Sequence, residues 1–332
     1  MNSTPIIASV VLAVVGAALG FLATRSAGSL PKGGAEDSLN TARGILGRAG
    51  GAVAASFVVC LLAGLVGVAT GREFAPAEML IVGLLPQVAL CAAVLRPVAS
   101  PGVIGGALSP RRLRDLVPWA LPAAAGVLLV PGTLSAIALI YLGAQPLGTP
   151  ESNRLGFGCE VPAGPNVVEP LSGPLDVGSP WWPVVQLVLM WGSVLIAVVA
   201  VRHCHRRPSV VSDGAVDSAL RRCLATRSSS AAVLVVVLTA GFASATLEDL
   251  AANRPRMSDF YAQISSHPNG WPRLHECALS DGVLSSWALV GDAAGWTRSA
   301  GVLVVVWAIA CYLFPGRLIR TSPRQAEGVR IS

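Results

Sequence analysis

The chain is 332 residues long, 53% hydrophobic and only 13% charged, with a mean hydropathy of +0.64. Soluble domains carry roughly a quarter charged residues, and a single water-soluble core does not grow large enough to bury this much apolar surface, so a soluble globular fold is excluded and a bilayer is the expected solvent. The formal net charge of +6 does not indicate nucleic acid, because the basic residues fall in short blocks beside apolar runs rather than on one amphipathic face.

The first apolar run is 5–24, about the length that crosses a hydrocarbon core of roughly 30 Å at 1.5 Å per residue. No basic residue precedes it, whereas Arg25 and Lys32 follow. That is the reverse of a signal peptide's charge order, so the run is expected to remain as a span. Further uncharged runs at 51–71, 79–95, 118–144, 181–201, 229–247 and 299–314 bring the expected number to seven, in one all-α transmembrane bundle over 1–332. The run 79–95 is interrupted by Pro86-Gln87, and 299–314 is short but ends in Trp307, Tyr312 and Phe314. Trp119, Tyr141, Trp181, Trp182 and Trp296 also fall at expected membrane edges, where an amphipathic ring meets both lipid and water.

Arginine placement sets the orientation. Basic residues dominate 25–50, 96–117, 202–228 and the tail after 314, whereas 72–78, 145–180 and 248–298 balance theirs with acid. By the positive-inside rule the first group is cytoplasmic, which puts the N-terminus outside and the C-terminus inside. The two long outer loops are then 145–180, rich in proline and glycine and expected to be irregular, and 248–298, expected to hold a helix near Asp281–Val290.

Each internal cytoplasmic loop also carries a short-helix signal. Asp37 caps a segment with Leu39, Ala42, Ile45 and Leu46 on one side; Ser109-Pro110 precedes Leu113 and Leu116; Asp213 precedes Val216, Ala219, Leu220, Cys223 and Leu224. The third lies in the densest cationic stretch, where Arg202, Arg206, Arg207, Arg221, Arg222 and Arg227 form an expected interfacial anchor for anionic lipid headgroups. His203-Cys204-His205 within it is a poor metal site, since neighbouring side chains on a helix do not converge and the arginines repel a cation.

No Asp, Glu, Lys, Arg or His occurs within the seven runs, which disfavours proton- or sodium-coupled transport, voltage sensing and haem chemistry. No cofactor is implied. Polar positions in the runs include Gln87, Thr133, Ser135, Gln186 and Thr239, either lining an outer-half cavity or bonding across helices. Gly16/Gly20 and Gly67/Gly71 have the spacing of close helix contacts. Cys159 and Cys277 are the two cysteines assigned outside, and an oxidising compartment predicts a disulfide between their loops. His267, His275, Glu276 and Asp281 are the outer residues an enzyme would use, without HExxH spacing.

The sequence therefore reads first as a non-catalytic membrane partner, sensor or assembly component, with another membrane protein or a second copy of itself as partner. A permease subunit using the outer polar cavity comes next, and an outer-face enzyme third. Near-absence of lysine among the basic residues, with abundant alanine, valine and glycine, is the usage of a GC-rich bacterial genome and hence of a bacterial plasma membrane.

Overall fold

The computed structural model describes residues 36–70, 76–95, 116–143, 158–164, 167–172, 181–207, 209–266 and 281–315. Among these are six helices: α1 (Glu36–Thr70), α2 (Pro76–Leu95), α3 (Ala120–Gly143), α4 (Trp182–Arg206), α5 (Gly214–Ser266) and α6 (Asp281–Leu313). Four segments are long and apolar enough to cross a bilayer: Ala120–Ile140, Trp182–Arg206, Gly214–Asn253 and Ser285–Leu313. Helices suit that role because every backbone N–H and C=O is satisfied within the segment, where lipid offers no partner. The chain is a multi-pass helical membrane protein. The run 79–95 lies in α2, whose apolar part Gly83–Leu95 is shorter, and 51–71 falls in α1 up to Thr70. The run 5–24, the Ser109-Pro110 signal and the arginines of the tail lie outside the described residues.

The helices outrun the apolar runs that predict them. Asp213 caps α5 as expected, its Oδ1 accepting from the amides of Ala215 at 2.9 Å and Val216 at 3.3 Å. The helix it starts does not stop at the membrane edge: α5 runs for 53 residues, more than twice the ~20 that a bilayer core needs. Neither proline nor glycine interrupts 215–240, so the expected interfacial helix and the 229–247 span fuse. In the same way α1 joins the Asp37 segment to the 51–71 run, and α6 joins the Asp281 segment to 299–314.

Part of 145–180 is ordered where an irregular loop is expected. β1 (Gly158–Gly164) and β2 (Val167–Ser172) form an antiparallel hairpin with Cys159 opposite Leu171 and Val161 opposite Glu169, and a register shift between Pro162 and Gly164. Val161, Val167 and Val168 favour the extended backbone.

The chain forms two compact units. One comprises Met1–Gly126, Trp191–Val236 and Val304–Ser332; the other comprises Val127–Met190 and Val237–Leu303. In the first, α1 packs on α2. Its core gathers Ile45 and Leu46 of α1, Val94 of α2, Cys204 of α4, Leu220 and Leu224 of α5 and Tyr312 of α6, each at most 4% exposed. In the second, small residues bring helices close. α5 and α6 run antiparallel: a Cβ on Gly291 would lie 3.1 Å from that of Ala251, one on Gly295 3.4 Å from Glu248 Oε1, and one on Gly301 3.2 Å from Val237 Cγ1. Arg298 Nη1 closes this edge on Glu248 Oε2 at 3.1 Å. Gly291 and Gly295 are a GxxxG pair that sits in a real helix contact.

Gly132 makes the closest approach. A Cβ there would stand 2.5 Å from Ala240 Cβ and 3.1 Å from Met190 Sδ, so α3 can lie against α5 only where no side chain intervenes. Gly132→Ala is expected to destabilise the protein by about 1–3 kcal/mol, the usual effect of overpacking. Gly126→Ala, with no atom within 4 Å of its new Cβ, should be neutral or stabilise slightly. Thermal unfolding of the two variants in detergent checks the contrast, which requires that Gly132→Ala melt lower than Gly126→Ala.

Candidate functional site

The six arginines expected to form one anchor divide by burial. Arg202 and Arg206 are exposed and Arg207 and Arg222 half-buried. Arg221 and Arg227 are 2% and 1% exposed and belong to the interior of the first unit. The reason is helical phase. Leu220, Cys223, Leu224 and Arg227 face the core together, and Arg221 lies a turn after Asp217.

Arg221 organises the connection from α4 to α5. Its Nε donates to Asp217 Oδ2 at 2.7 Å, and Nη1 donates to the carbonyls of Cys204, at 3.0 Å, and Arg207. Those carbonyls belong to the last turn of α4 and the residue after it, groups that no amide of the helix can satisfy, and the cation also complements the negative end of the helix dipole. Asp217 Oδ1 in turn accepts from the Val210 amide at 3.2 Å, fixing the middle of the turn. Ser38 Oγ and Ser212 Oγ meet at 3.2 Å and tie the start of α1 to the same turn. Burial draws the half-buried Arg207 guanidinium below its ordinary pKa, opposed by Cys204, reinforced by Arg221 and opposed by Asp217. Arg227 Nε donates to the Tyr312 carbonyl at 3.4 Å, near the end of α6, and its guanidinium lies 6.0 Å from the Tyr312 ring centre.

His203-Cys204-His205 does not converge. Cys204 is 1% exposed, whereas both histidines are partly exposed, and no group of three His, Cys, Asp or Glu among the described residues is arranged to hold a metal ion. His267, His275 and Glu276 lie outside the described residues. So does Cys277, and with it the expected Cys159–Cys277 bridge; among the described residues there is no disulfide.

The polar positions of the spans behave unequally. Ser135 Oγ meets Ser244 Oγ at 3.4 Å within the second unit, a bond between α3 and α5. Ser56 donates back to the Val53 carbonyl at 2.7 Å, and Thr246 and Thr297 do the same on their own helices. Thr239 is 7% exposed. Gln87 and Gln186, 4% and 1% exposed, have neither amide atom hydrogen-bonded, and Thr133 Oγ1 is likewise unpartnered. Gln87 lies in the first unit, at a narrow crevice lined also by Leu90, Cys91, Ile196, Ala197, Ala200 and Ser228, with no room for a water molecule.

Sequence reasoning missed the buried roles of Arg221 and Arg227. The available signal was Asp217 four residues before Arg221, the spacing of a helical ion pair. Asp217→Asn is expected to lower stability by about 3–5 kcal/mol, because it leaves a guanidinium buried without its counter-charge. Arg202→Gln and Arg206→Gln, at exposed sites, should change it by less than ~0.5 kcal/mol. Chemical denaturation in micelles reads both, and equal losses at 202 and 217 would contradict the burial argument.

No family model, no curated protein sequence and no solved structure matches this chain, which is characterised at the level of class by its four long apolar helices as a multi-pass membrane protein.

Proposed function

We propose that the chain is a non-catalytic membrane partner or assembly component of a bacterial plasma membrane, with seven spans, the N-terminus outside and the C-terminus inside. The observation that carries this reading is the packing around Gln87, where among the described residues the crevice has no room for water and a permease needs a wettable path. Ser135 is likewise used in helix contact with Ser244. Exposed Arg202 and Arg206, with half-exposed Arg222, supply the cationic edge that meets anionic headgroups on the cytoplasmic side. Exposed apolar positions at 127, 130, 134 and 137 of α3 and at 188, 191, 195 and 198 of α4 recur every three or four residues, a surface suited to lipid or to a partner's helix. The permease reading draws support from the unpaired amides of Gln87 and Gln186.

Topology and function are tested separately. In intact cells a membrane-impermeant maleimide should label Asp292→Cys, and should label Arg206→Cys only after permeabilisation; the reverse order would invert the topology. Cross-linking in native membranes followed by purification should retain a membrane protein partner or a second copy, and proteoliposomes should leak small solutes no faster than protein-free vesicles. Solute flux that is lost on Gln87→Leu would replace the partner reading with the permease.

A further inference from the structure

Trp191, Leu195, Val198 and Val199 of α4 are 53%, 64%, 46% and 44% exposed, and Arg202 and Arg206 are exposed on the turns that follow. At the helical period these six side chains share one face about 100° wide. They lie on a helix long and apolar enough to cross a bilayer. Trp191 and Arg202 are about 16 Å apart along the axis, half of a ~30 Å hydrocarbon core. The face therefore has the depth of one leaflet, apolar along its length and doubly cationic at its end.

The two cations have no partner among the described residues. The acids that follow them in the chain are engaged elsewhere: Asp213 caps α5, and Asp217 is paired with Arg221. Arg202 and Arg206 stand one turn apart, with Cβ atoms about 5–6 Å from each other, and like charges at that spacing repel. Among the described residues no counter-charge remains for the pair.

We propose that this face of α4 binds one molecule of an anionic lipid with a phosphate monoester headgroup, a phosphatidate in chemical class. Its phosphate bridges Arg202 and Arg206, and an acyl chain lies along Val199, Val198 and Leu195 toward Trp191. Charge and oxygen count select the monoester. It carries about −1.5 to −2 at pH 7 and three free oxygens, which match two guanidinium forks, each able to take a phosphate through paired N–H donors. A phosphodiester has one charge and two free oxygens, and a zwitterionic headgroup would bring an ammonium against the arginines. The apolar length of the face selects a lipid over free phosphate. This site deepens the headgroup reading of the cationic edge and rests on it, and it holds on whichever side of the bilayer α4 ends.

The test is native mass spectrometry of the full chain released from mixed micelles holding equal amounts of phosphatidate, phosphatidylglycerol and phosphatidylcholine with the same acyl chains at pH 7.5. One phosphatidate per chain is expected to be retained, at least fivefold over phosphatidylglycerol. Arg202→Gln and Arg206→Gln, at exposed positions where folding is spared, should each lower that retention at least fivefold, while Arg48→Gln, at an exposed position of α1, should leave it unchanged. At pH 5.5, below the second phosphate pKa of about 6, the preference over phosphatidylglycerol should fall at least threefold. His203 and His205 gain charge over the same interval and favour both anions, so the fall reports the lipid. Equal retention of the two anionic lipids, an equal loss with Arg48→Gln, or displacement of phosphatidate by equimolar inorganic phosphate would overturn the site. Equal retention would leave the diffuse headgroup reading standing, whereas retention of neither anionic lipid above phosphatidylcholine would overturn both.

Discussion

A guanidinium almost wholly removed from solvent holds the end of one membrane helix to the beginning of the next. Arg221 reaches back from the second turn of α5 to the last carbonyls of α4, and Asp217 neutralises it while fixing the turn through the Val210 amide. The rest of the first unit depends on this arrangement because a helix leaving the bilayer has carbonyls that lipid does not solvate. A buried charge without its partner is among the costliest defects a fold can carry, whereas a paired one is tolerated. The ion pair therefore adds less net energy than it adds definition: it allows one register between α4, the 207–213 turn and α5. Leu220, Cys223 and Leu224 then meet the α1 and α2 core residues from a fixed helical phase.

Arg227 extends the same logic along α5. It lies six residues beyond Arg221, is bonded to the Tyr312 carbonyl of α6 and has the Tyr312 ring beside it. The carbonyl of a helix end again receives a cation, in accord with the dipole's negative pole. Two arginines that raise the local positive charge in the sequence are thus spent on carbonyl oxygens inside the first unit. Fewer remain for the surface. Of the six, Arg202 and Arg206 are exposed and Arg207 and Arg222 half-buried.

Much of the helical layout was legible because the apolar runs are long and free of charge. Ala120–Gly143 and Trp182–Arg206 differ by only a few residues from the runs at 118–144 and 181–201. The Asp213 cap and the buried face of Val216, Leu220, Cys223 and Leu224 were also legible, since capping chemistry and a 3.6-residue period are local. What was not legible is continuity. A charged segment next to an apolar one looks like a separate interfacial helix, and nothing local distinguishes that from one helix emerging from the bilayer, as α5 and α6 do. Depth was equally hidden: the six arginines look alike in sequence, and packing against α6 and the end of α4 decides that two of them are interior. The hairpin at 158–172 was obscured by prolines that normally argue against strands.

The polar residues inside the spans separate by chemistry rather than by position. Serine and threonine hydroxyls can turn onto a carbonyl of their own helix, as Ser56, Thr246 and Thr297 do, so they enter a membrane helix at little cost. A glutamine has no such local outlet for both of its amide atoms and must find a partner beyond its own helix or leave them unsatisfied, at roughly 1–3 kcal/mol for each buried group left unmade. Gln87 and Gln186 are among the described residues where that cost is incurred, with both amide atoms unpartnered at 4% and 1% exposure. Stability alone would favour leucine or methionine at both.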